Sequence, residues 1–333
     1  MRTTSIMVQN LCVPCSCRCR YCLLSWDGRP VGISWDKGAS FAQRFINEVR
    51  HSHPEINISF TFGYSMDHPR LREAITFLKE IGSPQEQFLQ CDGMRMRNEA
   101  ECDGLMRVLK GEGVQDLNFI FYGQKEYHDR FASRKGDYDL LMRMIRAGLS
   151  HGLQVSAGIP LTAENISQAD VLTEDLKKRG VEKITMFVPH EEGRGITLSD
   201  IRLDETDLAG LSEESLKLLN RSVYRSERDW ITGMDIPEEK GRMLLISLRP
   251  DNIERYERMR AEEIIQEIEE LDEWYYDSFP DFLDLARMYG DPQSGRMYRF
   301  RDLFYHYRKL YEKDHGIQAY DVTDERQSGS RRY

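Results

Sequence analysis

Up to about residue 190 the chain alternates short apolar, β-branched runs with longer stretches whose apolar residues recur three and four apart. The short runs are TSIMVQN, NISFTFGYS, QFLQCDG, DLNFIFYG, LQVSAGIPL and EKITMFVPH. Between them lie FAQRFINEVRH, HPRLREAITFLKEIG, EAECDGLMRVLKGEG, YDLLMRMIRAGLSHG and SQADVLTEDLKKRG, which read as amphipathic helices. Gly82, Gly111, Gly152 and Gly180 follow charged last turns, where helix stops are expected. Strands joined by crossover helices predict an α/β fold with a parallel sheet, either open or curled into part of a barrel. In both arrangements, loops at the carboxyl ends of the strands build the site. Those loops here are CVPCSCRCRYC, GYSMDHP, CDG, YGQKEYHD, PLTAEN and PHEEGRG.

Beyond about residue 200 the pattern changes, which divides the chain into a core over 1–200, a mostly helical extension over 201–320 and a tail over 321–333. DETDLAGLSEESLKLLN reads as a capped helix, and MLLISL as a strand or short apolar run. RYERMRAEEIIQEIEELDEWYY predicts a long charged helix, and FRDLFYHYRKLYEKDHG an aromatic one. Trp274, Tyr275, Phe279, Phe282, Phe304, Tyr305, Tyr307 and Tyr311 then belong to a core or docking face. The polar tail DVTDERQSGSRRY predicts disorder.

With 333 residues the chain can bury a large core, and 40% apolar with 31% charged residues is usual for a soluble globular protein. A net charge of −10 argues against a broad nucleic-acid footprint, which needs clustered positive charge. The first fifteen residues lack the apolar core of a secretion signal, and no run reaches membrane-spanning length, so the expected compartment is the cytosol. Thiols stay reduced there, which turns attention to the cysteines as metal ligands.

Five of the seven cysteines stand between Cys12 and Cys22. Cys12/Cys15 and Cys19/Cys22 are two C-x2-C pairs, but only three residues separate them where zinc ribbons carry fifteen or so. The ferredoxin run C-x2-C-x2-C fits no register. C-x3-C-x2-C fits once, at Cys15, Cys19 and Cys22. Three thiolates on so short a loop can wrap three corners of a cubane iron–sulfur cluster and leave the fourth iron open. Cys12 and Cys17 read as bystander thiols, and Cys91 and Cys102 as small buried hydrophobes.

A C-x3-C-x-Φ-C loop directly after a first strand, followed by βα units, resembles the radical S-adenosylmethionine (radical SAM) superfamily. The resemblance spans about residues 5–200 and implies a partial (β/α)6 parallel barrel. It implies a 4Fe–4S cluster on Cys15, Cys19 and Cys22, with S-adenosyl-L-methionine on the fourth iron and Tyr21 against its adenine. The family's Gly-Gly-Glu-Pro motif, which holds the cofactor's amino group, corresponds to Phe62, Gly63, Tyr64 and Ser65. Only Gly63 matches; Tyr64 replaces the acid, with Asp67 nearby. Cys91, Asp92 and Gly93 stand where many members have Thr-Asn-Gly, and Ile120, Phe121, Tyr122 and Gly123 where a Ser-Leu-Asp-Gly-like sequence is usual.

EYHDRFASRKGDYDLL resembles members that modify peptides or proteins. IPLTAENISQ and VPHEEGRG resemble the fifth and sixth loops, which puts the backbone near Val188 on adenine. Arg143 reads as a solvated helix residue or a contact to the cofactor carboxylate, and His128 and Asp129 as local hydrogen-bonding groups rather than an acid–base pair. Glu191, Glu192 and Arg194 are charge at a strand's carboxyl end, facing either substrate or solvent. The family chemistry needs an external one-electron donor of flavodoxin or ferredoxin type and acts on a peptide, protein or small molecule. No cysteine follows Cys102, so the extension offers no thiolates for an auxiliary cluster. The alternative is a silent iron–sulfur protein or a zinc-binding interaction module built on the same thiols.

Overall fold

The computed structural model describes residues 3–22, 32–63, 65–82, 88–191, 193–233, 236 and 242–317. The tail expected to be disordered, together with Tyr64 and Glu192, lies outside them. In chain order the first part runs β1 (Thr3–Val13), α1 (Trp35–Ser52), β2 (Asn57–Gly63), α2 (Leu71–Glu80), β3 (Phe88–Gln90), α3 (Glu99–Gly111), β4 (Asp116–Ile120), α4 (Lys125–Ala132), α5 (Asp137–Ser150), β5 (Gln154–Pro160), α6 (Ile166–Lys178) and β6 (Lys183–Phe187). The second part runs α7 (Glu213–Leu216), β7 (Tyr224–Ser226), α8 (Glu227–Thr232), β8 (Arg242–Ser247), α9 (Ile253–Tyr256), α10 (Ala261–Asp277), α11 (Phe282–Tyr289), β9 (Met297–Arg299) and α12 (Phe300–His315).

All six apolar runs form strands, and β1 to β6 are parallel to their neighbours, in orders β2-β1 and β3-β4-β5-β6. This is the parallel α/β arrangement of a partial barrel with a mostly helical C-terminal portion. Buried on both faces, β5 is apolar or small along nearly its whole length, as a central parallel strand must be. The apolar stripe of α1 (Phe41, Ala42, Phe45, Ile46, Val49) packs on the outside of β1 and β2. Burying Phe45 or Ile46 contributes roughly 1.5–3 kcal/mol each.

The first sheet has a third member. MLLISL is a strand: β8 pairs in parallel with the free edge of β1, with Ile6 opposite Leu244 and Val8 opposite Ile246. The order is therefore β2-β1-β8, and α10 packs with α1 over it.

Other differences from the sequence pattern have local causes. α3 runs through Gly111, and the chain reverses at Gly113 (φ +81°) instead. The single helix expected over 204–220 is split because it contains two N-caps. Asp204 accepts from the Thr206 N–H and starts a 3-10 turn over 205–210; Ser212 accepts from the Ser215 N–H and starts α7. The long charged helix likewise restarts at Ala261, where the Glu263 carboxylate accepts the Arg260 N–H at 2.7 Å. The small α4 was not predicted as a helix of its own; it ends where Ser133 turns left-handed (φ 54°).

Candidate functional site

The cysteine loop leaves β1 at Val13, which pairs with Gly63 at the end of β2. Gly63 has φ +84°, and an added Cβ would come within 3.3 Å of the Leu11 side chain, so the position favours glycine. The loop is tied by its own backbone to the segment after β3 and to the end of α4. Ser16 N–H donates to Gly93 O (2.7 Å), Arg18 N–H to Ala132 O (3.0 Å) and Arg20 N–H to Phe131 O (3.0 Å). From the far side Arg194 clamps it: Nε donates to Cys19 O (2.9 Å) and N–H to Cys22 O (3.0 Å). The residue read as charge facing substrate or solvent thus holds the loop.

Around the sulfurs the surroundings are mostly apolar: Leu11, Ile120, Tyr122, Tyr127, Phe131 and Leu198 are buried against Cys15 and Cys17. The Cys17 N–H donates to Cys15 Sγ at 3.4 Å, and the Tyr122 hydroxyl donates to Cys19 Sγ at 3.0 Å. Cys15 is held below the ordinary thiol value, chiefly by its hydrogen bond with Cys17, whereas Cys17 is pushed far up by its bonds with Cys15 and Cys19 and by burial. The Cys17 Sγ lies 3.7 Å from Asp137 Oδ2, to which it can donate. Cys12 points elsewhere: its sulfur faces Phe62 O at 3.9 Å, and burial pushes it up to about 11. Cys91 and Cys102 are buried in the helix-side core, as expected of small hydrophobes.

Tyr21 stands over the loop, its ring centroid 5.5 Å from Tyr122, 6.0 Å from Phe131 and 6.4 Å from Phe187. Val188 is buried in the other direction, in the core between sheet and helices. Alternation along the strand explains this: Phe187 faces Tyr21, and only the backbone of Val188 remains for the site. Asp67 is already committed, since it accepts from Arg97 Nη2 (2.6 Å) and Arg95 N–H (2.5 Å). Arg143 is neither a solvated helix residue nor a site residue, because half-buried it donates to Arg97 O at 3.1 Å. Asp92, half-buried, accepts from Ile120 N–H (2.8 Å) and Gln90 Nε2 (3.0 Å), and burial pushes its carboxyl up to about 7.

Beneath the loop is a buried polar chain that the sequence pattern did not reveal. His128 is 0% exposed; its Nδ1 accepts the Tyr122 N–H (3.2 Å), which leaves the ring proton on Nε2 to donate to Asp137 Oδ2 (3.1 Å). Asp137 Oδ1 takes the Arg134 guanidinium, whose Nη1 also reaches Met94 O. Burial alone would raise the Asp137 carboxyl, but His128 and Arg134 outweigh it and hold it below the usual range. Asp129 turns away from His128 and accepts the N–H groups of Gly136 (2.6 Å) and Tyr138 (2.9 Å) at the start of α5.

The sixth loop is locked to the C-terminal helix. Glu191 is buried and pairs with His306 Nδ1 (3.0 Å) and Arg202 Nε (3.4 Å), while His190 Nδ1 lies 3.1 Å from Asp302. Burial pushes Glu191 up, but His306 and Arg202 outweigh it and hold it below the usual carboxylate range. A depressed folded value stabilises above the unfolded one, roughly 4.3, and that contribution is lost as pH falls through the folded value. Acidification below about pH 4 should therefore release α12, seen as rising protease cleavage there. Glu191→Gln should already be more sensitive at neutral pH; equal cleavage of the two proteins would exclude this latch. The aromatic residues of α10 and α12 are mainly core, with the Arg308 guanidinium 3.7 Å from the Phe304 ring centroid, although Trp274 is exposed.

Among the described residues no three Cys, His, Asp or Glu side chains converge to hold a single metal ion. Three soft thiol donors on one tied loop, with N–H and O–H groups aimed at two of the sulfurs, do suit an inorganic cluster. No helix of the described residues is long and apolar enough to cross a membrane.

No family model and no curated protein matches the chain. Among solved structures it is similar to Streptococcus suis SuiB bound to precursor peptide SuiA, at 11% identity over 74% of this chain and 49% of that one, with a TM-score of 0.49. It is also similar to native anSMEcpe with bound AdoMet (14% identity, 64% and 60% covered, TM-score 0.45). A third is coproporphyrinogen III oxidase (HemN) from Escherichia coli, titled a radical SAM enzyme (12% identity, 74% and 63% covered, TM-score 0.42). The chain spans about half the length of the first of these.

Proposed function

We propose that the chain is a radical S-adenosylmethionine enzyme in which Cys15, Cys19 and Cys22 hold three irons of a 4Fe–4S cluster. One observation carries the reading: the C-x3-C-x2-C loop lies at the carboxyl end of the first strand of a parallel sheet, walled by apolar side chains, with donors aimed at its sulfurs. With an electron from a flavodoxin- or ferredoxin-like donor, such a cluster with bound S-adenosylmethionine would supply radical chemistry for hydrogen abstraction from a peptide, protein or small molecule.

The chain's own residues position and exclude. Arg194 and the backbone bonds to Gly93, Phe131 and Ala132 fix the thiolates. Tyr21 and Phe187 offer aromatic faces to the cofactor's base, beside the Val188 backbone. Gly63 gives a close backbone approach for its amino-acid end. The surrounding Leu11, Ile120, Phe131 and Leu198 keep water from a reactive radical. With Asp67 committed to Arg97, the amino-group contact is left to backbone carbonyls.

Anaerobic purification and reconstitution test the reading. Brown protein with stoichiometric iron and sulfide is expected, and dithionite with S-adenosylmethionine should yield 5′-deoxyadenosine. Cys17→Ala should leave both signals, because Cys17 stands outside the C-x3-C-x2-C register and its thiol has Asp137 as an acceptor. Absence of iron and sulfide overturns the proposal; a loaded cluster without 5′-deoxyadenosine leaves the silent iron–sulfur alternative in its place.

A further inference from the structure

The hydroxyl of Tyr122 lies 3.0 Å from Cys19 Sγ, and everything about this residue is fixed. Its backbone N–H donates to His128 Nδ1 (3.2 Å), and its carbonyl accepts from Asn165 Nδ2 (2.7 Å). The same Asn165 amide holds Pro160 O at 2.7 Å, so the ends of β4 and β5 are pinned together under the ring. The ring itself is packed against Phe131 (centroids 4.7 Å apart), His128 (4.9 Å) and Tyr21 (5.5 Å), and only 3% of the residue is exposed. A donor so confined, with the Cys19 sulfur and the Tyr21 hydroxyl as its neighbours, is held beside the sulfur by its own packing. Nothing in the apolar wall would require a hydroxyl at this position; phenylalanine has the same ring.

We propose that Tyr122 is a built-in hydrogen-bond donor to the Cys19 thiolate that raises the cluster's reduction potential. The inference rests on the cluster reading above. The step concerned is a one-electron reduction from the 2+ to the 1+ cluster, with the electron supplied by an external low-potential donor and no bond or proton transferred at Tyr122. The added electron makes the thiolate sulfurs more negative, so a hydrogen bond to one of them strengthens on reduction and favours the reduced state. Tyr122 thereby eases electron entry and acts as a positioning residue for charge rather than on the substrate.

The test is a redox titration of the anaerobically loaded protein, followed by the electron paramagnetic resonance of the reduced cluster. In Tyr122→Phe the reduction equilibrium should fall about tenfold, a shift of about 59 mV to more negative potential for one electron. Replacing Tyr122 by 3-fluorotyrosine, a stronger donor of nearly the same shape, should shift it the other way. A purely structural role would not reverse sign between two variants of similar volume. Equal potentials in loaded wild type and both variants overturn the assignment of Tyr122 alone. If Tyr122→Phe does not fold, the fluorotyrosine protein decides by itself, because an unchanged potential overturns the proposal. Wild-type protein that takes up no iron overturns the cluster reading beneath it, an outcome visible before any potential is measured.

Discussion

Cys19→Ala should give colourless protein that retains no stoichiometric iron and forms no 5′-deoxyadenosine. The remaining thiols cannot compensate. Cys12 is turned to Phe62 O, and Cys17, although its sulfur lies near those of Cys15 and Cys19, donates to Asp137 and stands outside the C-x3-C-x2-C register. The substitution removes no large side chain from a core, so the fold should survive and circular dichroism should match the wild type. Iron retained at the wild-type ratio in Cys19→Ala would mean that this register does not ligate, and the assignment of Cys15 and Cys22 would fall with it.

The second large effect concerns stability. Asp137→Ala leaves the Arg134 guanidinium buried without its carboxylate and removes the partner of the His128 ring. Breaking a buried charge pair on one side costs roughly 3–5 kcal/mol, which should appear as a marked fall in the urea midpoint at neutral pH. Asp137→Asn keeps the shape and one acceptor oxygen and should lose less. A midpoint within error of the wild type for Asp137→Ala would show that water or a neighbouring carbonyl takes over, and that the chain from Tyr122 through His128 to Arg134 does not brace the site. Because Cys17 also meets Asp137, the same substitution loosens the cysteine loop from below.

How much of this could be read from the residues depended on how local each signal was. The cysteine register is a spacing within eleven residues, and the six strands with their crossover helices follow from period and turn residues. At Gly63 the sequence pointed to a turn at the end of the second strand, and the left-handed φ of +84° is what a glycine there supplies. Tyr122 was visible in the sequence only as a departure from a familiar pattern, and its partner Cys19 is 103 positions away. Arg134, Asp137 and His128 sit in a stretch that reads as charged loop and helix start; the burial of His128 and Asp137 is a tertiary fact that no periodicity encodes. Arg194 and Glu191 show the same limit. Charge at a strand's carboxyl end suggested a face toward substrate or solvent, whereas the fold spends one on clamping a loop and the other on docking a helix.

The pairing of β8 with β1 has a consequence for synthesis. The ribosome releases β1 ahead of β2 to β6, yet the segment that covers its second edge, Arg242–Ser247, emerges only after all of them. Until then a row of amide and carbonyl groups along that edge of β1 has no neighbour, the kind of edge that invites mispairing with other chains. A nascent chain carrying the whole cysteine loop and all six alternating units is still an unfinished sheet.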